Sequence, residues 1–223
     1  MRTTTLGILG LILLIMTMLF LLLFIGSIAS AGPLQTFEQV LAYASHPGAL
    51  FYLSYANVTL LTIVAMMFFA ALYVYCRTGA PLWSAIAVVF IPVYGLFNLV
   101  AYFSQLTVVP RLVELSQNPQ FRSLAEFLLR QTIQQWPGSA LSIFNNLAYA
   151  ILGIPSIIFG VILYRMPWSY RLGAVLLALN GIACILGAIG IALQNGLLSM
   201  GSIVGAVFFL LALIPLSWAF LKT

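Results

Sequence analysis

Residues 94–105 read Tyr94-Gly95-Leu96-Phe97-Asn98-Leu99-Val100-Ala101-Tyr102-Phe103-Ser104-Gln105. The stretch lies inside a long apolar segment, yet it carries Tyr94, Asn98, Tyr102 and Gln105. Those positions step by four, four and three residues, so on a helix all four side chains share one face. Hydrocarbon offers an amide or a phenol no partner, so a polar stripe on a membrane helix turns toward protein or water. The stretch therefore predicts a transmembrane helix around whose stripe the other helices pack.

Composition supports that class. Of 223 residues, 64% are hydrophobic and only 5% are charged, against about a quarter charged in a soluble domain. The apolar runs are continuous rather than alternating, which excludes a β-barrel. The expected fold is all-α: a single transmembrane domain over 1–223, with six spanning helices at about 6–26, 50–76, 82–108, 139–164, 172–193 and 201–220. Two short amphipathic surface helices are expected in the connections after the first and third spans.

The first run, Leu6 to Ile25, is long enough to cross a bilayer. Arg2 and the small residues Ala29-Ser30-Ala31 before Gly32 also fit a signal peptide. The apolar core exceeds the usual signal-peptide length, so it reads as a retained helix. In the following connection, Thr36 and Gln39 have capping-box spacing, and Phe37, Val40, Leu41 and Ala44 follow at helical period until Pro47. The longest polar segment, Val109 to Gly138, reads as a second surface helix opened by Asn118-Pro119. It has Phe121, Leu124, Ala125, Leu128 and Leu129 on one face and Arg122, Glu126 and Arg130 stacked on the other. Pro92 and Gly95 in the third span predict a kink or a freed carbonyl beside Tyr94. In the fifth span, Ala174 with Ala178 and Ala183 with Gly187 have the small-xxx-small spacing of close helix contacts. No internal repeat is apparent.

The charges orient the bundle. Arg2, Arg77, Arg165, Arg171 and Lys222 fall on one side without an acid. On the other side Arg111, Arg122 and Arg130 are balanced by Glu38, Glu114 and Glu126. The positive-inside rule then places both termini in the cytoplasm and the two surface helices outside.

The candidate site follows from depth. Tyr94, Asn98, Tyr102 and Gln105 of the third span, Tyr55 of the second, and Asn145, Asn146 and Tyr149 of the fourth should converge in the outer half. They would form a polar, uncharged, aromatic-lined chamber suited to a small neutral or lipid-like ligand. The same groups can instead only hold helices together, at about 0.6 kcal/mol each. Carboxylates and imidazoles at depth, usual in proton-coupled transporters, are missing from the predicted spans. No paired acids, metal cluster or serine with its base is present, so the chain leans away from enzymes. His46 reads as a solvated cap residue. Cys76 and Cys184 lie at different depths, which argues against a disulfide. Asn57-Val58-Thr59 matches a glycosylation triplet, but inside a predicted span.

In Val93-Tyr94-Gly95, in Ser104 through Arg111 and in Asn145 through Ser156, the chain resembles uncharacterised bacterial six-helix integral membrane proteins, a domain of unknown function. Such proteins have a long polar loop after the third helix and a Gly-rich ending, here Gly173 through Gly190. The resemblance implies a bacterial cell inner membrane and adds no site. The function expected is that of a non-enzymatic binder of a small neutral or lipid-like ligand; alternatives are a structural or assembly subunit and, less favoured, a lipid-modifying enzyme. Expected partners are membrane lipids, with partner membrane subunits or further copies of the chain, and no nucleic acid. No cofactor and no metal is expected.

Overall fold

The computed structural model describes residues 3–222; Arg2, one of the five unbalanced basic groups, lies outside the described residues. Regular structure among them is helical throughout: α1 (Thr3–Ala31), α2 (Phe37–Ser45), α3 (Ala49–Cys76), α4 (Pro81–Ser116), α5 (Arg122–Thr132), α6 (Ala140–Tyr164), a 3-10 turn (Trp168–Tyr170), α7 (Arg171–Ala192), α8 (Gly196–Ser199) and α9 (Gly201–Lys222). Six of these segments are long and apolar enough to cross a membrane. The bounds of α3, α6, α7 and α9 nearly coincide with those read from the sequence.

Three boundaries differ, each for a physical reason. Helix α1 continues beyond residue 26 to Ala31 and stops where Gly32 takes a positive φ of 76°. A left-handed residue after the last turn is a common helix stop, and glycine adopts it without a Cβ penalty. The run of small residues before Gly32 is thus the helix end. Helix α4 runs through Pro92 and on past residue 108 through Pro110 to Ser116. Val109 and Val113 are buried in a cluster with Phe37, Val40 and Ala44 of α2 and with Leu129 and Ile133. That burial outweighs the hydrogen bond which each proline removes. Helix α5 starts at Arg122, not at Pro119: the Asn118 Oδ1 accepts from the Gln120 amide at 3.0 Å, making a turn rather than a cap.

The chain falls into two compact units. The first comprises Met1–Thr17, Leu61–Leu96 and Asn146–Thr223; the second comprises Met18–Leu60 and Phe97–Asn145. In the first, small residues set the helix crossings. A Cβ on Gly153 of α6 would lie 2.6 Å from the Gly181 carbonyl oxygen of α7, and one on Gly160 would lie 2.8 Å from that of Ala174. Ala183 and Gly187 on the same helix meet Gly201 and Ser202 at the start of α9. Asn180 adds a polar link, its Nδ2 donating to the Gly205 carbonyl at 2.9 Å. The small-residue spacings of α7 therefore serve two different neighbours, α6 and α9. At one end of this unit Tyr75, Tyr170 and Phe220 bring α3, the 3-10 turn and α9 together, with ring centroids 5.0–6.4 Å apart.

The second unit has two apolar clusters. One is the α2–α4–α5 cluster just described. The other gathers Phe51, Tyr55, Val58 and Tyr102, with Phe20, Tyr43 and Leu106 against it. Helix α2 has the expected start: the Thr36 hydroxyl accepts from the Gln39 amide at 3.3 Å, and the Gln39 Oε1 accepts from the Thr36 amide at 3.1 Å. Helix α5 buries Ala125 and Leu129, whereas Phe121, Leu124 and Phe127 are exposed. The apolar face read from the sequence is therefore divided, because α2 and the end of α4 cover only one edge of it. The charged face differs too. Arg130 lies 3.8 Å from the centroid of Phe37, and the Arg122 Nε donates to the Ser116 carbonyl at 3.4 Å.

Candidate functional site

Tyr94, Asn98, Tyr102 and Gln105 all lie on the buried face of α4. They do not share one role. Gln105 is fully buried and holds a loop: its Nε2 donates to the Thr132 carbonyl at 2.8 Å and to the Ala101 carbonyl at 3.1 Å. Its Oε1 accepts from the Gln134 amide at 3.2 Å. One side chain thereby satisfies two backbone groups at the end of α5, which no helix ladder can reach. Asn98 is equally buried, yet neither of its amide atoms has a hydrogen-bond partner within the protein. The Oδ1 of Asn145 is likewise unpaired. The residues just before these two, Phe97 and Phe144, have ring centroids 5.5 Å apart, so α4 and α6 meet at this level.

Tyr102 packs against Tyr55 at 6.3 Å between ring centroids. The Tyr55 hydroxyl accepts from the Gln135 Nε2 at 2.6 Å. Tyr94, Asn146 and Tyr149 belong to the other unit, where the Tyr94 and Tyr149 rings lie 6.4 Å apart. Within the second unit, then, Tyr55, Tyr102 and Gln105 are tied to the α3 and α5 sides, with Asn98 and Asn145 beside the Phe97–Phe144 contact.

The second unit also holds a cavity of about 610 Å³ between the end of α1, helix α2 and the start of α3. None of the eight residues proposed from the sequence lines it. Its polar wall is built by Ser27, Gln39, Tyr43 and His46, and its apolar wall by Ala42, Leu50 and Phe51. No Asp, Glu, Lys or Arg lines it. One stripe residue, Tyr102, nevertheless connects to this cavity through a chain of aromatic rings. Tyr43 meets Phe51 at 5.5 Å between centroids, Phe51 meets Tyr55 at 4.8 Å, and Tyr55 meets Tyr102.

Two features tune the polar wall. The Tyr43 hydroxyl and the Ser27 hydroxyl are hydrogen-bonded at 2.5 Å. Burial raises the Tyr43 phenol above its ordinary range, with the Ser27 bond working against that shift, so the phenol stays protonated. His46 ends α2, its backbone amide bonding the Ala42 carbonyl at 3.2 Å, and its ring stands at the cavity. The wall can therefore give and accept hydrogen bonds without a formal acid or base from Asp, Glu, Lys or Arg. Among the described residues no three His, Cys, Asp or Glu side chains gather as a metal site would require.

Tyr43 and His46 are three residues apart, and the capping box already marked their helix. That periodicity was the available signal for a shared face. Ser27 precedes Tyr43 by 16 residues across the α1–α2 connection, a separation that only tertiary packing closes.

Fold and site define an all-helical protein with six segments able to cross a membrane and, beneath a short helix, a cavity without Asp, Glu, Lys or Arg in its lining. No family model, curated protein or solved structure matches the chain. The roles of its residues are accordingly argued from geometry and chemistry.

Proposed function

We propose that this is a non-enzymatic integral membrane protein that binds a small neutral or lipid-like molecule in the outer half of the bilayer. The observation that carries the reading is the 610 Å³ cavity, with a hydroxyl-and-imidazole wall on one side and an apolar wall on the other. Its volume lies within the range of small-molecule sites. An amphiphile with a hydroxyl or amide head matches both walls, whereas an ionic head would find no Asp, Glu, Lys or Arg in the lining. Orientation comes from charge: the positive-inside rule puts both termini in the cytoplasm and α2 and α5 on the outer face of a cell inner membrane. The exposed Phe121, Leu124 and Phe127 edge of α5 suits the headgroup boundary.

The test uses monoacylglycerol as a neutral probe and thermal unfolding of the purified protein in detergent. Monoacylglycerol is expected to raise the unfolding temperature of the wild type. Ala42→Trp, which fills the cavity from an exposed position, and the pair Ser27→Ala with Tyr43→Phe should remove that rise. An unchanged rise in these variants, with the protein still inserted, would overturn the reading.

A second reading, a structural or assembly subunit, is favoured by one observation. Only 11% of the apolar window of α1 is buried, against 56% of that of α6. A partner helix or a second copy would cover α1. Gentle extraction and native mass measurement would reveal such a complex, and a clean monomer would count against it. A lipid-modifying enzyme has the least support.

A further inference from the structure

We infer that the basic end of the first unit carries a binding site for one anionic phospholipid, formed by an apolar groove with Arg165 at its rim. The groove, of about 530 Å³, runs between the α3–α4 turn and the last turns of α6. Gly79 opens it, since a Cβ there would meet nothing within 4 Å. Trp83, Ile158, Val161 and Ile162 supply an apolar wall along about one turn of α6, which can hold the part of an acyl chain nearest the head.

The argument for an anionic head rests on how the neighbouring cations are used. Arg77 lies over Tyr73 at 5.8 Å, Arg171 over Trp168 at 5.0 Å and over Tyr164 at 5.5 Å, and the Lys222 ammonium over Trp218 at 4.5 Å. Arg165 is exposed and, among the described residues, has no such ring beneath it, and it is the one described cation that lines the groove. A guanidinium presents a fork of donors that matches a phosphate, and Trp83 is 59% exposed beside it, where an indole suits the headgroup level. Charge complementarity thus commits the groove to a phosphate-bearing lipid with a chain in the apolar part. The inference uses no residue of the 610 Å³ cavity and stands apart from the ligand proposed there.

The experiment is native mass spectrometry of the full chain, purified in detergent and supplied with phosphatidylglycerol or with phosphatidylcholine of the same chains. The wild type is expected to retain phosphatidylglycerol in preference to phosphatidylcholine. Arg165→Gln should lower that retention about fivefold, and Arg165→Lys should keep most of it. Val161→Trp, which fills the groove from an exposed position, should lower retention of both lipids. Arg171→Gln and Arg77→Gln should leave it unchanged. Soluble glycerol 3-phosphate at equal concentration should not displace the lipid. Equal retention of the two lipids, loss in Arg171→Gln as large as in Arg165→Gln, or displacement by glycerol 3-phosphate would each overturn the inference.

Discussion

Gln105 and Asn98 are both fully buried amides on one helix face, yet their surroundings give them opposite energetics. Replacing Gln105 by Leu strands the Thr132 carbonyl and the Gln134 amide, and is expected to destabilise by about 1–3 kcal/mol. Replacing Asn98 by Leu removes two unpaired polar atoms of similar bulk and should be neutral or stabilising. Reversible unfolding of the two variants in detergent checks the contrast; equal losses would contradict it. That four polar residues share the buried face was legible from their spacing alone. Which of them has a partner was not, because the partners of Gln105 lie 27 and 29 residues further along the chain.

At the scale of elements, α2 and α5 are joined by Arg130. Its guanidinium covers the Phe37 ring, and its charge is one of the influences that hold the Glu38 carboxyl below its ordinary range. The larger ones are the backbone hydrogen bond at the helix start and the Thr36 hydroxyl. Because the folded pKa is depressed, this contribution is present above the unfolded carboxylate range, about pH 4.3, and is lost as pH falls through the folded value. Hydrogen exchange at α2 should accordingly speed up as the pH is lowered below 4.3 relative to its intrinsic rate, and Glu38→Gln should flatten that dependence. Arg130→Ala should loosen both helices, at a cost of about 0.5–1 kcal/mol for an exposed cation–aromatic contact. Faster exchange in α2 and α5 with the spanning helices unaffected is the expected signature. The sequence predicted both short helices but paired Arg130 with Glu126. Helical spacing counts only neighbours on the same helix, and Phe37 belongs to another.

At the scale of the molecule, the four described unbalanced basic residues, Arg77, Arg165, Arg171 and Lys222, belong to the first unit, while the second carries three basic and three acidic groups. A reporter active only in the cytoplasm should be bright when fused after Thr223 and dark when inserted in the turn between α4 and α5, near Asn118. The opposite pattern would reverse the proposed orientation. Packing in the first unit depends on missing side chains. Gly153→Ile would press into the backbone of α7 and is expected to cost about 1–3 kcal/mol or more. Gly48→Ala, which meets open space, should be silent in the same unfolding measurement.

The sequence by itself determined what depends on distance along the chain: six apolar segments, the capping box at Thr36 and Gln39, the small-residue face of α7 and the polar stripe of α4. Hydrophobic length, helical period and cap chemistry are local, so they can be read without a fold. Only the tertiary structure decided that α4 continues past Pro110, that α5 buries one edge of its apolar face, and that Tyr102 connects through Tyr55 and Phe51 to a cavity. These outcomes depend on which surfaces become covered, and covering a surface requires residues from distant parts of the chain. Of the stripe that organised the sequence reading, Tyr102 is the residue that reaches toward the cavity formed by Ser27, Tyr43 and His46, through Tyr55 and Phe51.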